Sequence, residues 1–161
     1  MNRHLADSKR RVFKQLQFSE LERANRLIFA SKSYWNYSGE YLEAAFQLLR
    51  IKDIDLEKQF FWCLWEGSVL VGLFSFDETQ EAILLDHFWI YPHRIGTGCG
   101  RHLWNFAIQI AKQQKYRSFQ IYSDPQAEGF YLKMGAKRIG EKPSRILSGP
   151  IFPILEFPIE N

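Results

Sequence analysis

Three glycines crowd into five residues at Gly96, Gly98 and Gly100, directly between two runs of different periodicity. Ala82 to Ile90 is nearly continuous in apolar character apart from Asp86 and His87, and it reads as a buried strand closed by Pro92. From about Arg101 to Gln114, Leu103, Trp104, Ala107, Ile108, Ile110 and Ala111 mark an amphipathic helix. A loop so rich in glycine turns sharply and lets a ligand come close to the main chain. The first amides of the following helix have no partner within it and carry the positive end of its dipole. Together these groups form an anion nest, and a diphosphate is its natural occupant. The alternative reading is a tight turn with a glycine at the helix start.

Common nucleotide fingerprints fit this loop poorly. The dinucleotide motif needs a glycine one place after Gly100, where Arg101 stands, and it opens a parallel βαβ unit. A phosphate-binding NTPase loop ends in Gly-Lys-Ser/Thr, whereas this one continues Gly100-Arg101-His102.

The rest of the chain supplies the frame. Residues 1–10 look like a frayed terminus, followed by a strand around Val12 to Leu16. Ser19 and Glu22 have capping-box spacing, and Leu21, Ala24, Leu27 and Ile28 share one face of the helix behind them. A second helix starts near Ser38, with Leu42, Ala45, Phe46 and Leu49 as its buried stripe. Phe60 to Trp65 and Ser68 to Phe76 form a hairpin turning at Glu66-Gly67. Ser118 to Tyr122 is a short strand. Asp124-Pro125 predicts a helix N-terminus, and Gly135 ends that helix after Met134. Ala136 to Glu141 and Phe152 to Ile159 are the last strands; Pro153 and Pro158 predict an edge or irregular strand for the second, and as an edge it could pair in a homodimer. Early antiparallel strands and later strand–helix alternation give a mixed α/β sheet flanked by helices.

With 161 residues the chain fits a single domain, residues 1–161. A net charge of +3 favours anionic ligands without amounting to a nucleic-acid footprint. Two cysteines, Cys63 and Cys99, make neither a disulfide framework nor a metal quartet, so the expectation is a cytoplasmic protein with reduced thiols and no metal. The polar N-terminus lacks a signal-peptide core, and no apolar run is long enough to span a membrane.

Tyr91 to Leu103 between strand and helix resembles the acetyl-CoA loop of the GNAT acetyltransferase superfamily. Asp124 to Ala136, with its Phe130-Tyr131 pair, resembles that family's second cofactor segment, and Ser31 to Tyr37 an N-terminal segment common in bacterial members. Ile95 stands where the family usually has Gln or Arg, with Arg94 one residue early; Gln126 stands where many relatives carry Asn. The resemblance implies a mostly antiparallel, twisted sheet of about seven strands with a splayed central pair, flanked by about four helices. It also implies transfer of an acetyl group from acetyl-CoA to a primary amine of a small molecule or peptide. The cofactor would lie on the main chain of Phe88, Trp89 and Ile90. Its phosphates would meet the loop of Ile95, Gly96, Thr97, Gly98, Cys99, Gly100 and Arg101, and Gln126, Phe130 and Lys133 from the second segment.

Acetyl transfer needs a neutral amine, a polarised thioester, proximity and a proton for the departing thiolate. Tyr131 is the candidate acid, because a phenol titrates close enough to a thiol to hand over its proton. Asp86 is the candidate base: a carboxylate in an apolar strand is expected to have a raised pKa. His87, on the other strand face, is an alternative that serves equally as a packing residue. Tyr34, Trp35 and Tyr37 are candidates to line the acceptor pocket, since so aromatic a loop is costly to expose. Two other functions stay open at this level: a non-catalytic acyl-CoA-binding module and a nucleic-acid-binding α/β domain.

Overall fold

In the computed structural model, which describes residues 10–146 and 149–160, apolar alternation organises one mixed sheet. Its strands are β1 (Arg11–Gln15), β2 (Phe61–Glu66), β3 (Val69–Glu78), β4 (Ile83–Ile90), β5 (Ser118–Tyr122), β6 (Lys137–Pro143) and β7 (Ile151–Pro158). The spatial order is β1-β2-β3-β4-β5-β7-β6. All neighbours are antiparallel except β4 and β5, which meet in parallel at the single pair Leu84–Gln120 and then diverge. This is the splayed central pair.

Helices cover both faces. α1 (Leu21–Ser33) packs on β3 and β4 and against α2 (Gly39–Leu49). Its Ala24, Leu27 and Ile28 join Cys63, Leu70 and Leu73 of the sheet in one core. α3 (Asp55–Lys58) is a single turn before β2. On the opposite face α4 (Cys99–Gln113) buries Leu103, Trp104, Ala107, Ile110 and Ala111 against Leu64, Phe74 and Phe119. α5 (Glu128–Lys133) adds Tyr131 to that second core. Trp104 is fully buried among Phe88, Phe119, Tyr131 and Phe157; truncating such a residue to alanine costs about 3–5 kcal/mol.

A register shift in the β3–β4 ladder bears directly on function. Ser75 pairs with His87 and Phe76 with Leu85, so Asp86 is the extra residue of a β-bulge. The bulge bends β4 where it begins to leave β5.

Several expectations need correction. The Pro-containing last strand is interior, between β5 and β6, which removes it as a free edge for a homodimer. Pro153 lies past the last β5–β7 pair, Tyr122–Ile154, where no β5 residue is paired with it in the ladder; its carbonyl still accepts from the Ser123 amide (3.0 Å), and Pro158 closes the strand. The capping box lies two residues earlier than Ser19 and Glu22: the Glu20 carboxylate accepts from the Gln17 amide (3.0 Å), and a short 3-10 turn, Phe18–Glu20, precedes α1. In α2 the deeply buried residues are Tyr41 and Ala45, while Leu42, Phe46 and Leu49 are half-buried. The described residues hold five α-helices, in keeping with the expected four or so; the one turn of α3 is too short for periodicity to reveal. The frayed terminus expected at residues 1–10 falls almost wholly on residues 1–9, outside the described residues.

Candidate active site

Beyond Leu84 and Gln120, the edge of β4 that faces β5 loses its partner strand, and a cavity of about 390 Å³ opens there. Phe88, Trp89 and Ile90 of β4 form one wall. Ile95, Gly96, Gly98, Gly100 and Arg101 form the end at the glycine loop. Gln126, Phe130, Tyr131 and Lys133 close the other side.

The loop is built as its composition demands. Gly96 and Gly98 have φ of 79° and 84°, the left-handed region that disfavours side chains. Gly98 is the residue immediately before α4, so the first amides of that helix stand at the cavity end. At Gly100 a Cβ would sit 3.2 Å from the Phe130 ring, so the loop and α5 approach closely only because this residue is bare. Thr97 and Cys99 were expected at the cofactor, but neither lines the cavity. The Thr97 hydroxyl donates to the Arg94 carbonyl (2.6 Å), and Cys99 is fully buried with its thiol 3.3 Å from Glu66.

Glu66 anchors the loop from the β2–β3 hairpin. Its carboxylate accepts from Arg94 Nε at 3.2 Å and faces Arg11 Nε at 3.7 Å. Burial would raise its pKa, yet the Cys99 thiol, Arg94 and Arg11 outweigh that and hold it below the ordinary 4.5. Arg94 thus supports the loop from beneath. Burial raises the pKa of the Cys99 thiol, and it pushes that of Cys63 up to about 12, with the charge of Glu20 adding to it.

Tyr131 is almost fully buried, ringed by Phe88, Trp104 and Phe130, and its side chain borders the cavity. Among the described residues its hydroxyl has no hydrogen-bond partner. Burial, helped by the charge of Asp124, raises its pKa well above the usual phenol value, so the match to a thiol expected from sequence is not kept and any role as acid rests on its place at the cavity. Asp86 departs from the expected burial. The bulge turns its carboxylate outward, 38% exposed, within 3.5 Å of the Gln59 amide. His87 is buried against Phe61, and its Nδ1 accepts from Trp89 Nε1 at 3.0 Å. Burial holds its pKa below 6.5 against the opposing pull of Asp86 and Asp55, as befits a packing residue.

A second cavity, about 260 Å³, lies on the far side of the splay. Leu85, Asp86, Trp89, Tyr122 and Asp124 border both cavities, so the two meet beside the bulge. Of the aromatic N-terminal segment, Trp35 lines the first cavity, whereas Tyr34 is exposed and packs only on Trp35. Tyr37 lines neither. Its hydroxyl bonds both oxygens of Asp124 (2.9 and 2.8 Å), and the same carboxylate takes Lys32 Nζ at 2.7 Å. Burial first, then that bond to Asp124, raises the Tyr37 pKa far above the phenol range. The Lys32 ammonium also faces the rings of Tyr37, Tyr41 and Phe152 at 4.8, 5.5 and 5.7 Å. Sequence reading missed this cluster, because its members lie some ninety positions apart: Lys32 and Asp124 are separated by 92 residues. It also explains why α5 starts at Glu128 and not beside Asp124: the Asp124 carboxylate accepts from the Gln126 amide (3.0 Å) in a turn that precedes the helix.

Among the described residues, no three His, Cys, Asp or Glu side chains gather as a metal site, and no helix is long and apolar enough to cross a membrane.

Residues 37–145 match the family model for the acetyltransferase (GNAT) domain. No curated protein matches the sequence. Among solved structures, the PaiA N-acetyltransferase of Thermoplasma acidophilum in complex with coenzyme A superposes with a TM-score of 0.79 at 20% identity, over 92% of this chain and 99% of that one. A GCN5-related N-acetyltransferase from Rhodopseudomonas palustris gives 0.78 at 16% identity, over 91% and 94%. The ribosomal-protein-S18-alanine N-acetyltransferase of Escherichia coli gives 0.68 at 13% identity, over 94% and 96%. At these identities the likeness is one of fold.

Proposed function

The chain belongs to the GNAT acetyltransferase family, and on that premise we propose that it moves an acetyl group from acetyl-CoA to a primary amine of a small molecule or peptide. The observation that carries this reading is the cavity itself. It opens beside the glycine loop and the unpaired edge of β4, and the buried Tyr131 borders it.

The residues fit the cosubstrate. Amides around Gly96, Gly98 and Gly100, with the start of α4, suit a diphosphate, and Arg101 and Lys133 add charge at the rim. The free edge of β4 at Phe88 to Ile90 can take an amide-bearing pantetheine arm as an added strand. When bound, acetyl-CoA supplies the activated acyl group. Main-chain amides of β4 then polarise the carbonyl, Asp86 accepts the amine's proton directly or through water, and Tyr131 delivers a proton to the sulfur as the C–S bond breaks. Because Asp86 is exposed, its fitness as a base rests on its position where the two cavities meet. Trp35 borders the path of the thioester arm.

Release of free thiol from acetyl-CoA, measured across a panel of amines with product mass determination, tests the activity. Tyr131→Phe lowers turnover at least about tenfold while coenzyme A binds as before. Unchanged turnover removes Tyr131 as the acid.

A further inference from the structure

The walls of the second cavity carry an uneven set of charges. Lys32 and Asp124 are 2.7 Å apart and largely buried, so they cancel each other, and Tyr37 occupies what remains of that carboxylate. Asp86 is then the one carboxylate left to meet an amine, and it sits at the end shared with the first cavity. Lys142 and Arg145 line the wall of the same cavity, and neither is in an ion pair among the described residues. The Lys142 ammonium rests 4.1 Å from the centre of the Tyr122 ring, and Tyr122 borders the same cavity. Ala45, Leu48, Leu49, Leu84 and Phe152 add apolar wall to the same cavity.

We propose that the acceptor is an amine that also carries an anionic group, a carboxylate held by Lys142 and Arg145 while the amine lies beside Asp86 and the apolar wall covers the carbons between them. The proposal rests on the transferase reading and deepens it by naming the acceptor class. Arginine's planar fork matches a carboxylate's two oxygens, and the lysine adds a point charge. A polycation finds only one carboxylate open to it and two repelling cations in the same cavity. Polyamines and aminoglycosides are therefore poor acceptors.

A matched set of acceptors tests this: aminohexanoate, aminohexanamide, hexylamine and diaminohexane share one spacer and differ only in the end group. With acetyl-CoA, kcat/KM for aminohexanoate exceeds that for hexylamine and aminohexanamide by about tenfold, and diaminohexane is poorest. In Lys142→Gln/Arg145→Gln the advantage of the acid over hexylamine collapses towards unity. Both side chains reach solvent, and a thermal melt checks that the variant folds. Calorimetry of the same four compounds on protein saturated with coenzyme A gives the order of affinity even where turnover is absent. An affinity order with diaminohexane at or above aminohexanoate, no binding of aminohexanoate, or an acid preference that survives the double variant overturns the proposal. Failure of the transferase reading looks different: every acceptor releases no thiol while the acid still binds best.

Discussion

Asp86 owes its position to one extra residue in a strand. Without the bulge, regular alternation would carry this carboxylate to one face of β4; with it, the side chain opens towards both cavities. In Asp86→Asn the acidic limb of the kcat/KM–pH profile is lost and the rate falls, while coenzyme A affinity holds; an unshifted limb assigns the proton to another group. Glu66 works at a distance through charge. Its folded pKa lies below the unfolded value of 4.5, so its contribution to stability is complete above 4.5 and disappears as pH falls through the folded pKa. Thermal melts of Glu66→Gln are therefore flatter with pH in that acid window than melts of the parent. Equal slopes would mean that the Arg94 and Arg11 pairing contributes nothing measurable.

The glycine loop and α4 behave as one element. Left-handed backbone at Gly98 sets the direction in which the helix amides emerge, and a side chain there costs about 1–2 kcal/mol. Gly98→Ala accordingly weakens coenzyme A binding by about tenfold with little change in far-ultraviolet dichroism; unaltered affinity would mean that the loop does not hold the phosphates. This element was legible in the sequence because its signals are local: clustered glycines, a strand pattern before them and a helix pattern after. The same holds for Tyr131 in its Phe-Tyr pair. What escaped was non-local. Asp124 has the spacing of a helix cap, but Lys32 and Tyr37, 92 and 87 residues away, claim its carboxylate. Tyr37 accordingly props the wall instead of lining a pocket. The place of β7 inside the sheet depends on strand order, which two prolines could not reveal, and the outward turn of Asp86 depends on a register shift between β3 and β4.

At the scale of the whole molecule, function follows from an interruption in the sheet. Six neighbouring strand pairs hold it together, and only the parallel contact of β4 with β5 gives way after Leu84–Gln120. Two cores, one beneath α1 and one beneath α4, cover opposite faces of the sheet, and the second joins strands on both sides of the gap. The gap leaves an unpaired strand edge inside the protein, and the glycine loop and the buried Tyr131 both border the cavity it opens. Titration calorimetry of the purified protein with coenzyme A tests this most directly. The account predicts saturable binding at one site per chain, competed by acetyl-CoA and weakened in Gly98→Ala; no measurable heat with either compound would contradict it.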